Sequence, residues 1–185
     1  LGSAAVVAGT AAEAETAERL VFPGVGSAAS GMEGIRARGF DRLLQRAFSE
    51  RRPILGICLG MQLLFDSSAE DGDQQALGLL PGKVIPFQFP EEQRVKIPQM
   101  GWNAVNFTRQ HPVFQGIESG EAFYFVHSYY VAPAETSLIC GLTEYAGLEF
   151  TSAVAAASLV ATQFHPERSG NFGLQLLNNF LHWDG

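Results

Sequence analysis

Along the first third of the chain, short apolar runs alternate with amphipathic stretches, the pattern of strands and helices in an α/β sheet. Ser3 to Ala8 predicts a strand, and Thr10-Ala11-Ala12-Glu13 has the form of a capping box that opens a short helix. Leu20 to Phe22 predicts a buried strand stopped by Pro23-Gly24-Val25-Gly26. Phe40, Leu43, Leu44, Ala47 and Phe48 fall at i, i+3, i+4, i+7 and i+8, so they share one helix face. Pro53 to Ile57 is a strand-like run that delivers Cys58, and Met61, Leu63, Leu64 and Phe65 continue the pattern as a helix.

The middle of the chain changes character. Lys83 to Phe87, Asn103 to Phe107, Ala122 to Val131, Leu138 to Leu142, Glu149 to Ala155 and Leu159 to Phe164 all read as strands. The gaps between them are too short for crossover helices, so several should pair antiparallel. Phe172, Leu176, Leu177, Phe180 and Leu181 predict a closing helix. The expectation is a three-layer, flavodoxin-like α/β domain over residues 1–185, with a mixed central sheet and no interdomain linker or internal repeat. Ser67 to Gln75, rich in acidic and small residues, is expected to be a mobile surface loop.

Composition narrows the function. With 185 residues, 46% hydrophobic and 17% charged, the chain can bury a real core. A formal net charge of −7 and the lack of any Lys/Arg stripe argue against a nucleic-acid face, leaving small-molecule or protein partners. No apolar run approaches the roughly 20 residues of a membrane span, and the first residues lack the basic region of a signal peptide. Cys58 and Cys140 lie far apart without a C-x-x-C spacing, which suits a reducing cytoplasm. His111, His127, His165 and His182 show no metal-binding spacing, so neither a metal nor a cofactor is expected.

The candidate chemistry lies at Gly56-Ile57-Cys58-Leu59-Gly60, a strand entering a tight turn and leaving as a helix. Such a turn lifts its central side chain out of the sheet, as a Gly-x-Ser-x-Gly elbow does for serine. The N-terminus of the following helix should favour a thiolate. In Gln163-Phe164-His165-Pro166-Glu167, the proline pushes His165 toward an extended conformation, in which positions i and i+2 point to one side. Glu167 can then fix the tautomer of His165 while the other ring nitrogen faces the thiol. Taken separately, Cys58 reads as a small buried hydrophobe and His-Pro-Glu as a turn; together they read as nucleophile, base and orienting carboxylate. Cys140 reads as core. The glycines of Pro23-Gly24-Val25-Gly26 allow backbone N–H groups to approach a substrate oxygen closely, so with the Leu59 amide this segment is a candidate oxyanion hole.

These pieces resemble the triad (class I) glutamine amidotransferases, and more closely the family of glutaminase subunits of imidazole glycerol phosphate synthase. The segments carrying the resemblance are LVFPGVG, GICLGMQLLF, GLLPGKVIPF, KIPQMGWN, YFVHSYYV and QFHPERSG. The resemblance implies a Cys58, His165 and Glu167 triad that hydrolyses glutamine to glutamate and ammonia. It implies an oxyanion hole at Val25, Gly26 and Leu59, and substrate contacts from Gly24, Gln62, His127, Ser128 and Tyr129. It further implies a heterodimer with a (βα)₈-barrel cyclase subunit that uses the ammonia to make imidazole glycerol phosphate and an aminoimidazole carboxamide ribotide in histidine biosynthesis. Met100 and Trp102 would lie at that interface, with Gln99 where many relatives carry histidine. A glutaminase of this kind should be weak until its partner binds, with the Pro23 to Gly26 loop as the switch. Relative to the family the chain begins at about the second strand, so a first strand and helix are expected to be missing.

Other readings are a glutaminase subunit feeding a different synthase, a stand-alone cysteine hydrolase of γ-glutamyl substrates, and a non-catalytic binding subunit or fragment. The Pro-Gly-Val-Gly and Met-Gly-Trp-Asn strings speak against the first of these.

Overall fold

The computed structural model describes residues 1–185. Twelve strands occur in chain order. They are β1 (Leu20–Gly24), β2 (Ile54–Cys58), β3 (Ser67–Ser68), β4 (Gln74–Gln75), β5 (Gly82–Pro86), β6 (Gln99–Ala104), β7 (Asn106–Phe107), β8 (Ala122–His127), β9 (Tyr129–Pro133), β10 (Ile139–Tyr145), β11 (Leu148–Ala156) and β12 (Leu159–Thr162). The helices are α1 (Ala28–Ala37), α2 (Phe40–Ser49), α3 (Leu59–Gln62) and α4 (Gly170–Leu181). The main sheet runs β1-β2-β12-β11-β9-β5-β3-β4, with β10 pairing β11 and β7, while β6 and β8 form a separate antiparallel pair. Pairing is parallel from β1 through β2 to β12 and antiparallel from β12 to β11, β9 and β5, so the central sheet is mixed as the short gaps required.

Both faces of the centre are covered, which is why β2 is apolar at every position. Ile54 belongs to one core with Met32 and Ile35 of α1 and Leu43, Leu44 and Ala47 of α2. Leu55 and Ile57, pointing the other way, belong to a second core with Phe123 and Phe125 of β8 and Leu176 and Phe180 of α4. Helices on one side and α4 with the small sheet on the other give the expected three layers. No helix is long and apolar enough to cross a membrane.

Several expectations require correction. Ser3 to Ala8 is not a strand: it has no regular structure, and Val6 and Val7 stand exposed. An apolar run becomes a strand only by pairing, and β1, the edge of the sheet beside it in sequence, pairs with β2 alone. After it, Ala11–Ala14 is a single 3₁₀ turn rather than an α-helix. Glu13 nonetheless reaches back as a capping box would, accepting from the Gly9 N–H at 2.8 Å and the Thr10 hydroxyl at 3.2 Å.

The run from Ala122 to Val131 is two strands, broken at Ser128, where the chain leaves the small sheet and enters the main one. Asn103 to Phe107 likewise divides at Val105, whose N–H and carbonyl are taken by Glu121 and Gly120. The helix after Cys58 is a single turn. The carbonyls of Leu63, Leu64 and Phe65 accept from the returning segment Leu77 to Leu80 instead of continuing the helix. Ser67 to Gln75 is not a free loop, because Ser67 and Ser68 are buried in β3, paired to β5 and β4.

Candidate functional site

The site grows from the end of β2. A buried strand that must turn at once into α3 forces Cys58 to φ 55° and ψ −112°, a conformation that costs energy for any residue with a Cβ. The turn closes against β1: a Cβ on Gly60 would fall on the Phe22 carbonyl oxygen, so only glycine fits there. Gly24, at the end of β1, is registered directly beside Cys58, and Val25 beyond it is 85% exposed. The segment after it is anchored, since the Ala28 N–H donates to Glu70 at 2.8 Å and the Ala29 N–H to Asp71 at 3.4 Å.

His165 leaves β12 in an extended conformation and opens a 3₁₀ turn, Pro166–Arg168. That turn, and not extended alternation, brings Glu167 back to the ring, where its Oε1 lies 2.7 Å from Nδ1. Two contacts fix the turn. The His165 N–H donates to the Tyr124 carbonyl of β8 at 2.9 Å, and the Ser169 hydroxyl donates to the His165 carbonyl at 2.6 Å. A Cβ on Gly173 would collide with the Pro166 carbonyl, so α4 packs closely on the turn. The Nε2 of His165 is buried and has no hydrogen-bond partner. A buried, unpartnered imidazole nitrogen, with its opposite nitrogen held by a carboxylate, is a proton acceptor in waiting.

The Cys58 sulfur and His165 share this neighbourhood without a hydrogen bond between them. The sulfur instead lies 4.0 Å from the Val126 carbonyl and 3.7 Å from the Gln163 amide nitrogen. Burial pushes the Cys58 thiol up to about 11; the Leu59 N–H and the Gln163 amide pull it down, while the Glu167 carboxylate adds to the rise. The resting group is therefore a thiol, opposite to the thiolate expected from an elbow helix, and a helix of one turn has little dipole to offer.

Among the other predicted residues, Gln62 is buried, its Nε2 donating to the Tyr129 carbonyl at 2.9 Å and to Gln163 Oε1 at 3.0 Å. His127 is buried in an aromatic surround that includes Phe87, Phe125 and Phe150, and burial lowers it to about 4. Its Nδ1 lies 2.8 Å from the Tyr129 carbonyl and must donate, so the neutral ring has a lone pair on Nε2. The Gln99 side-chain amide lies 3.0 Å from Nε2, and complementarity turns its NH₂ to that lone pair. Gln99 is thus buried against His127. Ser128 and Tyr129 are half-buried.

Met100 and Trp102 are 66% and 58% exposed on β6. Trp102 meets Tyr124 edge-on at 6.3 Å, and the Arg168 guanidinium lies 4.8 Å over the Tyr124 ring, so this exposed surface adjoins the His165 turn. Gln163, Ser169 and Tyr124 were not foreseen as functional. The signal for Gln163 was its position two residues before His165, on the same side of an extended segment. No group of three or more His, Cys, Asp or Glu side chains is placed to hold a metal ion.

The family model for glutamine amidotransferase class-I matches residues 5–183. The chain is 47% identical over 166 residues to an imidazole glycerol phosphate synthase subunit HisH of Dehalococcoides mccartyi, covering 90% of this chain and 78% of that one. With the HisH subunit of Syntrophotalea carbinolica the identity is 43% over 183 residues, covering 97% and 88%. Among solved structures, a glutamine amidotransferase superposes with a TM-score of 0.69 at 16% identity, covering 94% of this chain and 84% of that one. The glutaminase domain of a Trypanosoma brucei CTPS with bound acivicin gives 0.63 at 17%, covering 95% and 75%; these two likenesses speak to the fold alone.

Proposed function

The chain belongs to the class-I glutamine amidotransferases and, within them, to the HisH subunits of imidazole glycerol phosphate synthase, and we propose from this that it is the glutaminase subunit of that synthase, working through Cys58, His165 and Glu167. The Cys58 sulfur attacks the side-chain carboxamide carbon of glutamine. Its proton passes to His165 Nε2 and from there to the departing amine, which leaves as ammonia. Water then adds to the γ-glutamyl thioester, releasing glutamate and returning the thiol. Glu167 holds Nδ1 and supports the imidazolium that forms between the two proton transfers.

The negative oxygen of the tetrahedral intermediates is received by the backbone N–H of Leu59 with those of Val25 and Gly26. Gly24, Gln62, His127, Ser128 and Tyr129 shape the glutamine site. Gln62 and His127 act through their neighbours, because their hydrogen-bonding nitrogens are already committed. One domain spanning residues 1–185 carries this site and docks on a (βα)₈-barrel cyclase as a cytoplasmic heterodimer, with Met100 and Trp102 in the interface. The raised Cys58 thiol and the missing link to His165 suit a site that is idle alone.

The observation that carries the reading is the buried, unpartnered Nε2 of His165, opposite an Nδ1 held by Glu167, in the neighbourhood of an elbow cysteine. The test is to quench the complex with its cyclase during turnover and weigh its peptides. A γ-glutamyl adduct on the Cys58 peptide is expected; an adduct confined to Cys140, or none under steady turnover, would contradict it.

A further inference from the structure

We propose that Gln163 is a further catalytic residue, donating from its amide N–H to the Cys58 sulfur as charge develops there, and that the Tyr129 carbonyl dictates which way that amide faces. The proposal rests on Cys58 being the nucleophile. Its argument is one of hydrogen-bond polarity. A backbone carbonyl can only accept, so the Gln62 group 2.9 Å from the Tyr129 oxygen has to be its NH₂. The same NH₂ lies 3.0 Å from the side chain of Gln163, which must therefore offer its oxygen. With its oxygen turned to Gln62, Gln163 has only its NH₂ left for the sulfur, at 3.7 Å. Gln62 is thus the positioning residue, and Gln163 makes the contact.

The burial of the pieces makes this polarity hard to undo. Gln163 is wholly buried and Gln62 nearly so; turning the Gln62 amide would set its oxygen against the Tyr129 carbonyl, and turning the Gln163 amide would set NH₂ against NH₂ inside the core. A thiol has little use for a donor, whereas a thiolate does. As the thiol proton passes to His165 Nε2, the S–H electron pair is left on sulfur and then forms the bond to the carboxamide carbon. The Gln163 N–H remains on nitrogen throughout and stabilises the charged form alone. This supplies in the buried site what a one-turn helix cannot.

The test is alkylation of Cys58 by iodoacetamide on the whole chain between pH 7 and 9, followed by the mass of the Cys58 peptide. The variants are Gln163→Met, which fills the space without a donor, and Gln62→Met, which leaves Gln163 in place without its guide. Loss of the donor should slow Cys58 alkylation about tenfold in Gln163→Met, since each unit rise in thiol pKa removes about nine-tenths of the thiolate. Gln62→Met should slow it less, in the same direction, and carries the test if Gln163→Met does not fold. A merely structural role has the opposite sign, because a loosened core exposes the sulfur and speeds the reaction. Unchanged or faster alkylation in the folded variants would overturn the proposal. Persistence of glutamate release in Cys58→Ala would instead overturn the assignment of the nucleophile, so the two failures are distinct.

Discussion

Cys58 and Cys140 are both buried thiols raised by desolvation, yet their surroundings differ in a way that charge alone would misread. Cys140 is the second residue of β10, at a register irregularity against β11, its sulfur 3.0 Å from the Arg109 guanidinium and 3.8 Å from the Leu138 carbonyl. A cation beside it favours the thiolate, whereas the charge acting on Cys58 is the anion of Glu167, which opposes it. By electrostatics Cys140 has the better neighbour. It lacks the strained turn that lifts a side chain out of a sheet and any histidine with a free nitrogen beside it. On the proposed reading, reactivity at Cys58 is prepared by backbone geometry and by an idle base, and the thiolate would be made only when substrate and partner complete the site.

That contrast is broken most directly by truncating each thiol side chain to a methyl group. Cys58→Ala should lower glutamate release in the complex by about 10³-fold or more, as removal of a nucleophile does, while Cys140→Ala keeps kcat/KM within about twofold. Glu167→Gln should cost about 10²- to 10⁴-fold in kcat by leaving Nδ1 without its carboxylate, with the melting temperature little changed because Glu167 is half exposed.

Acid sharpens the comparison further, since each region also contains a histidine lowered to about 4 by burial, His127 near Cys58 and His111 near Arg109. The unfolded chain takes up these protons near pH 6.5 and the folded chain only near pH 4. The stability they represent is therefore complete above pH 6.5 and is lost as the pH falls toward 4. For fully buried His127 the loss is roughly 3 kcal/mol; for His111, which keeps contact with solvent, it is smaller. Urea denaturation at pH 7 and pH 5 should show a smaller drop in His127→Gln than in wild type, and an intermediate one in His111→Gln. Smallest of all, Cys140→Ala should cost about 1–2 kcal/mol at pH 7, the value of a small core side chain.

Much of the site was legible in the sequence because it follows from local rules. An apolar run ending in Gly-x-Cys-x-Gly can only turn sharply, and the helix face of Leu43, Leu44 and Ala47 declared itself by its period. The His165 and Glu167 contact was foreseen from their spacing, although a 3₁₀ turn rather than extended backbone produces it. What escaped depended on partners distant in sequence. Ser3 to Ala8 has the composition of a strand without a neighbour to pair with. The helix after Cys58 goes no further because Leu77 to Leu80 returns to claim the carbonyls of Leu63, Leu64 and Phe65. The division of residues 122–131 at Ser128 lies in which sheet each half joins, and that has no signature in alternation. The Gln62–Gln163 pair spans a hundred residues and is visible only once both are buried together.

The most direct test is glutamate release from glutamine by the wild-type chain and by Cys58→Ala, each measured with and without a matching barrel cyclase and its ribonucleotide ligand. The account predicts slow release by the chain alone, strong stimulation by the loaded partner, and loss of that stimulated release in Cys58→Ala; release that is equally fast without the partner, or that survives the substitution, would contradict it.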